Sequence, residues 1–219
     1  SKIINEIQWC ELILQRIPSD LLTLNELAQL DVPSQMGTIQ IRLKRIGDIS
    51  FSTILLILTF PLLIASSILI YLEDRGPIFY TQIRTGLLGK PYKIFKLRTM
   101  YINSEESGPQ WSRQNDNRIT NIGLLLRKYR IDEIPQLITV LTGQMSLIGP
   151  RPERPELEMN IKKEVKNYSL RHFMKPGISG WSQVNFPYGA SIHDSEMKLS
   201  YDLFYMRHFS IALDFLILF

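Results

Sequence analysis

Residues 49–72 read I-S-F-S-T-I-L-L-I-L-T-F-P-L-L-I-A-S-S-I-L-I-Y-L, a run of 24 with no charged side chain. Arg42, Lys44, Arg45 and Asp48 precede it, and Glu73, Asp74 and Arg75 follow it. A stretch of that length suits the hydrocarbon core of a bilayer, and its apolar residues surround the helical circumference instead of forming one stripe. That argues against a buried helix of a soluble protein. A cleaved signal sequence fits badly, because the run starts far from the N-terminus. Pro61, in its middle, removes a backbone donor and predicts a bend. Basic residues are abundant on both flanks, continuing through Arg84, Lys90, Lys93, Lys96 and Arg98, and Lys and Arg favour the cytoplasmic side. A helix that enters, bends at Pro61 and leaves by the same face satisfies both flanks, which a straight crossing does not. The expectation is therefore a proline-broken re-entrant helix, with a straight span as the alternative. Carbonyls freed at the break need partners, and the hydroxyls of Thr59, Ser66 and Ser67 are close in sequence.

Downstream, residues 127–137 read R-K-Y-R-I-D-E-I-P-Q-L and residues 146–152 read S-L-I-G-P-R-P. The adjacent carboxylates Asp132 and Glu133 thus lie among Arg127, Lys128, Arg130 and Arg151. Acids and cations at that density suit phosphate chemistry, in which a carboxylate attacks or holds a metal while cations hold phosphate oxygens. A solvated, salt-bridged helix face is the ordinary reading of an Asp-Glu pair, but it leaves the basic cluster unexplained. Residues 123–130 read as a short helix. Asp132 is placed to cap the next one, with Pro135 in its first turn, where free amides favour negative charge. Pro150 and Pro152 bracket Arg151 in a rigid turn, so its guanidinium loses little entropy on meeting a phosphate. Residues 175–184, K-P-G-I-S-G-W-S-Q-V, form a second rigid loop, with Trp181 and Gln183 placed to line a pocket.

Composition narrows the classes. A 219-residue chain with 45% hydrophobic residues supports a good-sized core. A net charge of +4 points to an anionic partner without choosing among nucleic acid, lipid and nucleotide. Cys10 is the only cysteine, which excludes a disulfide framework, and His172, His193 and His208 lack zinc-ligand spacing. A nucleic-acid binder has only the basic balance in its favour and leaves the apolar run without a use. Residues 1–41 read as the tail of an upstream domain and a linker, residues 42–75 as the membrane helix, and residues 76–219 as a catalytic domain on the cytoplasmic face. Within the last, residues 77–80 and 92–98 read as short strands around a turn at 86–89. Lys96 and Arg98 then share a strand face with Ile94. Polar residues 103–117 read as a lid loop. Residues 201–219 read as an amphipathic segment ending at the bilayer interface. The fold class is α+β, mainly helical with a small β element.

Several motifs occur together in one order: K-R-I-G-D at 44–48, F-Y-T-Q-I-R-T-G at 79–86, Y-K-I-F-K-L-R-T-M at 92–100, R-K-Y-R-I-D-E at 127–133, G-Q-M-S-L-I-G-P-R-P at 143–152 and K-P-G-I-S-G-W-S-Q-V at 175–184. In this the chain resembles the bacterial sugar transferases of the monotopic phosphoglycosyl transferase family over residues 42–219. E-R-P-E at 153–156, G-P-Q-W at 108–111 and F-P-Y-G-A at 186–190 resemble the subgroup acting in exopolysaccharide synthesis. The resemblance implies transfer of a sugar-1-phosphate from a UDP-sugar to polyprenyl phosphate at the cytoplasmic face of the bacterial inner membrane. Asp132 would be the nucleophile that forms a phosphosugar–aspartyl intermediate, and Glu133 the residue that holds Mg2+. Lys96, Arg98, Arg127, Arg151 and Gln183 would bind phosphate or substrate, Asp202 and Tyr205 match a D-x-x-Y of open role, and a homodimer is compatible. The family often carries Ser-Pro at the helix break; here Phe60 precedes Pro61, with Thr59 as the nearest hydroxyl. The alternative from another class is a membrane-surface scaffold gripping anionic lipid. It has no use for Asp132 and Glu133.

Overall fold

The computed structural model describes residues 5–23, 39–104, 116–187, 189 and 191–218. The expected lid (103–117) and the G-P-Q-W stretch therefore lie largely outside the described residues, as do 24–38 of the N-terminal region and two positions of F-P-Y-G-A. In chain order the elements are α1 (Glu6–Trp9) running into a π turn (Cys10–Leu14), α2 (Ile39–Asp74), and the strands β1 (Phe79–Thr85) and β2 (Pro91–Leu97). They continue with α3 (Asn121–Lys128), a 3-10 turn (Ile131–Glu133), α4 (Gln136–Leu141), β3 (Ser146–Ile148) and α5 (Pro155–Glu164). A second 3-10 stretch (Tyr168–Phe173), β4 (Gly177–Ser179), α6 (Trp181–Asn185), α7 (Ile192–Arg207) and α8 (Ile211–Leu218) complete it. The described residues are mainly helical with two small sheets: β1 pairs antiparallel with β2, and β3 pairs parallel with β4.

Helix α2 is the one described helix long and apolar enough to cross a membrane. It is helical on both sides of Pro61 and at it. Buried or half-buried positions recur every three or four residues along its length, among them Arg45, Asp48, Ser52, Leu63, Ser66 and Ile70, which is the period of one helical face. The remainder is apolar and uncovered: Ile57 and Leu58, just ahead of Pro61, are 69% and 71% exposed. Water is a poor solvent for such a surface, so the helix is built for lipid or an apolar partner. The Thr59 hydroxyl donates to the Leu55 carbonyl at 2.6 Å and Ser67 to Leu63 at 2.7 Å. Each serves its own preceding turn, so Thr59 does not meet the Ile57 carbonyl that Pro61 leaves without its usual donor.

Both ends of α2 are bonded to the same globular body. Near its start, Arg45 donates to the carbonyls of Val140 and Leu141 at 2.5 and 2.6 Å, capping the C-terminus of α4 with positive charge. Asp48 accepts from the Ser146 hydroxyl and the Leu147 amide at 3.1 and 3.0 Å. At its end, Asp74 pairs with Arg98, and the Glu73 carboxylate accepts from the Ile122 amide at 3.2 Å.

Among the described residues the body has three apolar clusters. Tyr92, Ile94, Val140, Met145, Ile148 and Tyr205 lie in the one beneath the α4–β3 region. A smaller one joins Ile70 of α2 to Leu97 and Leu126. The third unites Ile161, Tyr168, Leu199 and Leu203 with Ile7, Ile17 and Leu22 from the N-terminal segment. The N-terminal segment is thus anchored in the core through Ile7, Ile17 and Leu22, with the Ile17 amide bonded to the Ser200 carbonyl at 2.8 Å. The amphipathic C-terminal segment expected over 201–219 requires correction. Its first part belongs to α7, whose Leu199, Asp202, Leu203, Tyr205 and Met206 are core residues; of its large apolar side chains only those of α8 are exposed, Phe215, Leu216 and Leu218.

Glu158 of α5 is 2% exposed, with His172 at 3.1 Å and Lys162 at 2.6 Å. Burial raises its carboxyl, but bonds from His172, Lys162 and Thr85 outweigh this and pull it down to about 2. A carboxyl depressed on folding stabilises fully above its unfolded value of about 4.3, and the contribution is lost as pH falls from there towards 2. Glu158→Gln is expected to cost about 1–3 kcal/mol at neutral pH. It should also flatten the acid side of stability below about pH 4. Unfolding measured at successive pH values would refute this if the two proteins kept parallel acid limbs.

Candidate active site

The site forms where the 3-10 turn, the hairpin and the Pro-Arg-Pro turn converge. Arg130 takes a left-handed backbone (φ 57) that ends the preceding turn. Bonds from the Glu133 amide to the Arg130 carbonyl and from Ile134 to Ile131, both 3.2 Å, then wind residues 131–133 into a tight 3-10 turn. Asp132 consequently lies inside that turn instead of capping a helix. The residue at the start of α4 is Pro135, whose preset φ suits a helix entry. The turn buries both carboxylates, leaving Asp132 and Glu133 each 7% exposed.

Glu133 is held by cations from two other elements. Lys96, inward-facing on β2, reaches its Oε1 at 2.8 Å, and Arg151 reaches the same oxygen through Nη2 at 2.6 Å. Arg130 stands at 3.8 Å with its side chain mostly in solvent, so its contribution is small. Burial by itself raises the Glu133 carboxyl, but Arg151 and Lys96 hold it well below the usual carboxylate range. Asp132 is shifted the other way: burial raises it and Glu133 adds to this, while Lys96 and Arg127 oppose. Lys96 is itself pulled down by burial, against the attraction of Glu133. Two neighbouring carboxyls are thereby driven apart in acidity by their surroundings, the arrangement by which one fold assigns different tasks to like groups.

The other residues singled out from sequence divide. Arg127, at the end of α3, donates through Nε to the Thr99 hydroxyl at 2.8 Å and adds to the field at Asp132. The Gln183 amide donates to the Ile178 carbonyl at 3.1 Å, an oxygen that Arg151 also approaches at 3.5 Å, so Gln183 borders the Arg151 side. Arg98 does not join the carboxylates. Its guanidinium is spent on Asp74 and on the Pro77 carbonyl, the latter at 2.5 Å, so it straps the end of α2 to the hairpin. Tyr205 is buried and donates to Asp214 at 2.5 Å, and Asp214 pairs with Lys44 at 2.6 Å. This network ties the start of α2 to the C-terminal helices. Asp202 pairs with Arg171 at 2.8 Å, both buried.

Sequence reading missed Arg171 and Asp214, and took Lys44, Arg45 and Asp48 as charges flanking the apolar run and as part of a family motif, without assigning them partners. Asp48 carried a usable signal, an acid next to a membrane-length stretch, where a lone carboxylate needs a donor. Arg171 carried none, since apart from the neighbouring Tyr168 its partners, Arg151 and Asp202, come from distant parts of the chain.

The sequence profile of the family described as Bacterial sugar transferase matches residues 39–219. The chain belongs to that family. It is 41% identical over 212 residues to an Aeromonas hydrophila protein named UDP-N-acetylgalactosamine-undecaprenyl-phosphate N-acetylgalactosaminephosphotransferase, covering 97% of this chain and 49% of that protein. It is 38% identical over 179 residues to the UDP-glucose:undecaprenyl-phosphate glucose-1-phosphate transferase of Escherichia coli (strain K12), covering 81% of this chain and 39% of that protein. The chain thus spans about half the length of these relatives or less.

Proposed function

We propose that this chain transfers a sugar-1-phosphate from a UDP-sugar to polyprenyl phosphate, with Asp132 as nucleophile. An Asp132 carboxylate oxygen attacks the phosphorus that bears the sugar. The bond from that phosphorus to the bridging oxygen breaks, UMP leaves with the oxygen, and an aspartyl-phosphosugar remains. A phosphate oxygen of the lipid then attacks the same phosphorus, the Asp–P bond breaks, and polyprenyl-diphosphate-sugar leaves with the carboxylate restored. No net proton is gained or lost by the protein. The observation that carries this reading is the pair of buried, oppositely shifted carboxylates set among Lys96, Arg127 and Arg151. A weak nucleophile of this kind depends on in-line placement and on cations that neutralise the phosphates. A lipid-gripping scaffold gains nothing from burying two acids.

A Mg2+ site suits these residues on one condition. Among the described residues no group of three or more His, Cys, Asp or Glu is placed to hold a metal, so Asp132 and Glu133 make an incomplete shell. Mg2+ commonly takes one or two carboxylates and completes its octahedron with substrate phosphates and water, and Glu133 would be the carboxylate to hold it. When bound it supplies charge neutralisation on the diphosphate. Lys96 and Arg151, now on Glu133, would be the cations that turn to the same phosphates.

The two attachments of α2 support a re-entrant membrane helix, and the basic residues on both its flanks favour the cytoplasmic face for the body. A straight crossing would place residues 48 and 74 about 30 Å apart across the bilayer, whereas Asp48 and Asp74 both bond to one body. In that arrangement the site would lie at the headgroup level, where the lipid phosphate lies and a nucleotide sugar arrives from water. The test is UMP release by the purified protein in nanodiscs with Mg2+ and polyprenyl phosphate, over a panel of UDP-sugars. UDP-glucose and UDP-N-acetylgalactosamine head the panel, since the relatives are named for both. Release with one donor is the expected result; silence with folded protein across the panel would overturn the reading.

A further inference from the structure

The turn carrying Arg151 is held by its backbone. Each of four successive carbonyl oxygens has its own donor: the Gly177 amide on Pro150 at 3.0 Å, Arg171 Nη2 on Arg151 at 2.8 Å, Arg84 Nη1 on Pro152 at 3.0 Å and the Thr85 amide on Glu153 at 3.0 Å. A small recess, of about 10 Å³, lies behind the turn, lined by Thr85, Pro150, Arg151, Glu153, Arg171 and His172. Of the four donors, Arg171 is the one that grips the carbonyl of Arg151 itself. It is 4% exposed and anchored on its other sides by Asp202 at 2.8 Å and by the Tyr168 hydroxyl. Asp202 is 1% exposed and takes a further bond from Ser182, next to Trp181 in the second rigid loop. Burying such a pair is costly relative to apolar residues of similar volume. Stability alone gives little reason for it.

We infer that Arg171, with Asp202 as its counter-ion, is a positioning residue that aims the Arg151 guanidinium at the reacting phosphate by holding the Arg151 carbonyl. The inference rests on the phosphoglycosyl transfer reading above. Loss of this hold lets the turn shift by the fraction of an ångström that a clamped guanidinium does not tolerate, which costs turnover without removing any group that touches substrate.

Two variants test it. Arg171→Met with Asp202→Leu replaces the buried pair by apolar side chains and is expected to melt at or above the wild-type temperature. Arg171→Lys keeps the charge opposite Asp202 but loses the forked reach, and serves if the double variant does not fold. Either folded variant should lose about 10- to 100-fold in kcat/KM for the UDP-sugar. That loss should vanish in an Arg151→Ala background, where no guanidinium remains to be aimed. Activity kept within about threefold, or losses that multiply in the Arg151→Ala background, would overturn the positioning role while leaving the reaction intact. A wild-type protein that releases no UMP would instead remove the reading on which the role depends.

Discussion

Asp132→Asn is expected to abolish UMP release, by about 10⁴-fold or more, in a protein that folds as well as the wild type. The two halves of this expectation have one cause. Asp132 is 7% exposed, and burial raises its carboxyl against the pull of Lys96 and Arg127, so holding it ionised costs folding energy. Asparagine keeps the shape and removes that desolvation cost, so the melting temperature should hold or rise. It also lacks an anionic oxygen to form the acyl phosphate. The direct check is the intact mass of protein incubated with the UDP-sugar and no lipid acceptor, then acid-quenched. Wild type should gain the mass of one sugar phosphate, and the variant should gain none. An adduct on the variant would place the nucleophile elsewhere.

Gly177→Ala is expected to be severely damaging. A Cβ there would lie 2.1 Å from the Gly149 amide nitrogen and 2.4 Å from the Ser179 carbonyl oxygen. These are backbone atoms that also bond to each other, Gly149 N to Ser179 O at 2.9 Å. No side chain can swing aside, so β3 and β4 must separate, at about 3 kcal/mol or more. Separation also breaks the bond from the Gly177 amide to the Pro150 carbonyl, which releases the Arg151 turn. The loss of activity should therefore exceed the loss of folded protein. Gly47→Ala is the control: nothing lies within 4 Å of its added methyl, and a helical Gly→Ala change is expected to be neutral or to stabilise by up to about 1 kcal/mol. Equal melting temperatures for the two variants would mean that the sheet yields more easily than these contacts allow.

These two cases show how differently the parts of the molecule are written in the chain. Asp132 and Glu133 were legible because adjacent acids inside a basic run are unusual and have a chemical use. Arg151 was legible because two prolines isolate it. The glycines of the two rigid loops were visible as glycines, but not that they press against each other. Arg98 misled: its alternation with Lys96 places both on one strand face, yet β2 ends at Leu97 and Arg98 turns to Asp74. Alternation holds only while a strand lasts. Asp132 as a helix cap failed similarly, because the left-handed Arg130 and the following tight turn displaced the helix start by a few residues, a boundary that sequence rarely locates.

By itself the sequence determined the long apolar helix, the hairpin, the acidic pair and the family, since each rests on local composition, period or order of motifs. Tertiary structure decided which cations reach which carboxylate, and so why Glu133 is held acidic while Asp132 is raised. It decided that both ends of the apolar helix grip one body, and that Arg171 and Asp202 stand behind Arg151. The physical reason is that helices and turns are settled by neighbours a few residues apart. A buried charge is settled by whichever distant group supplies its counter-charge, and that choice exists only once the chain has folded.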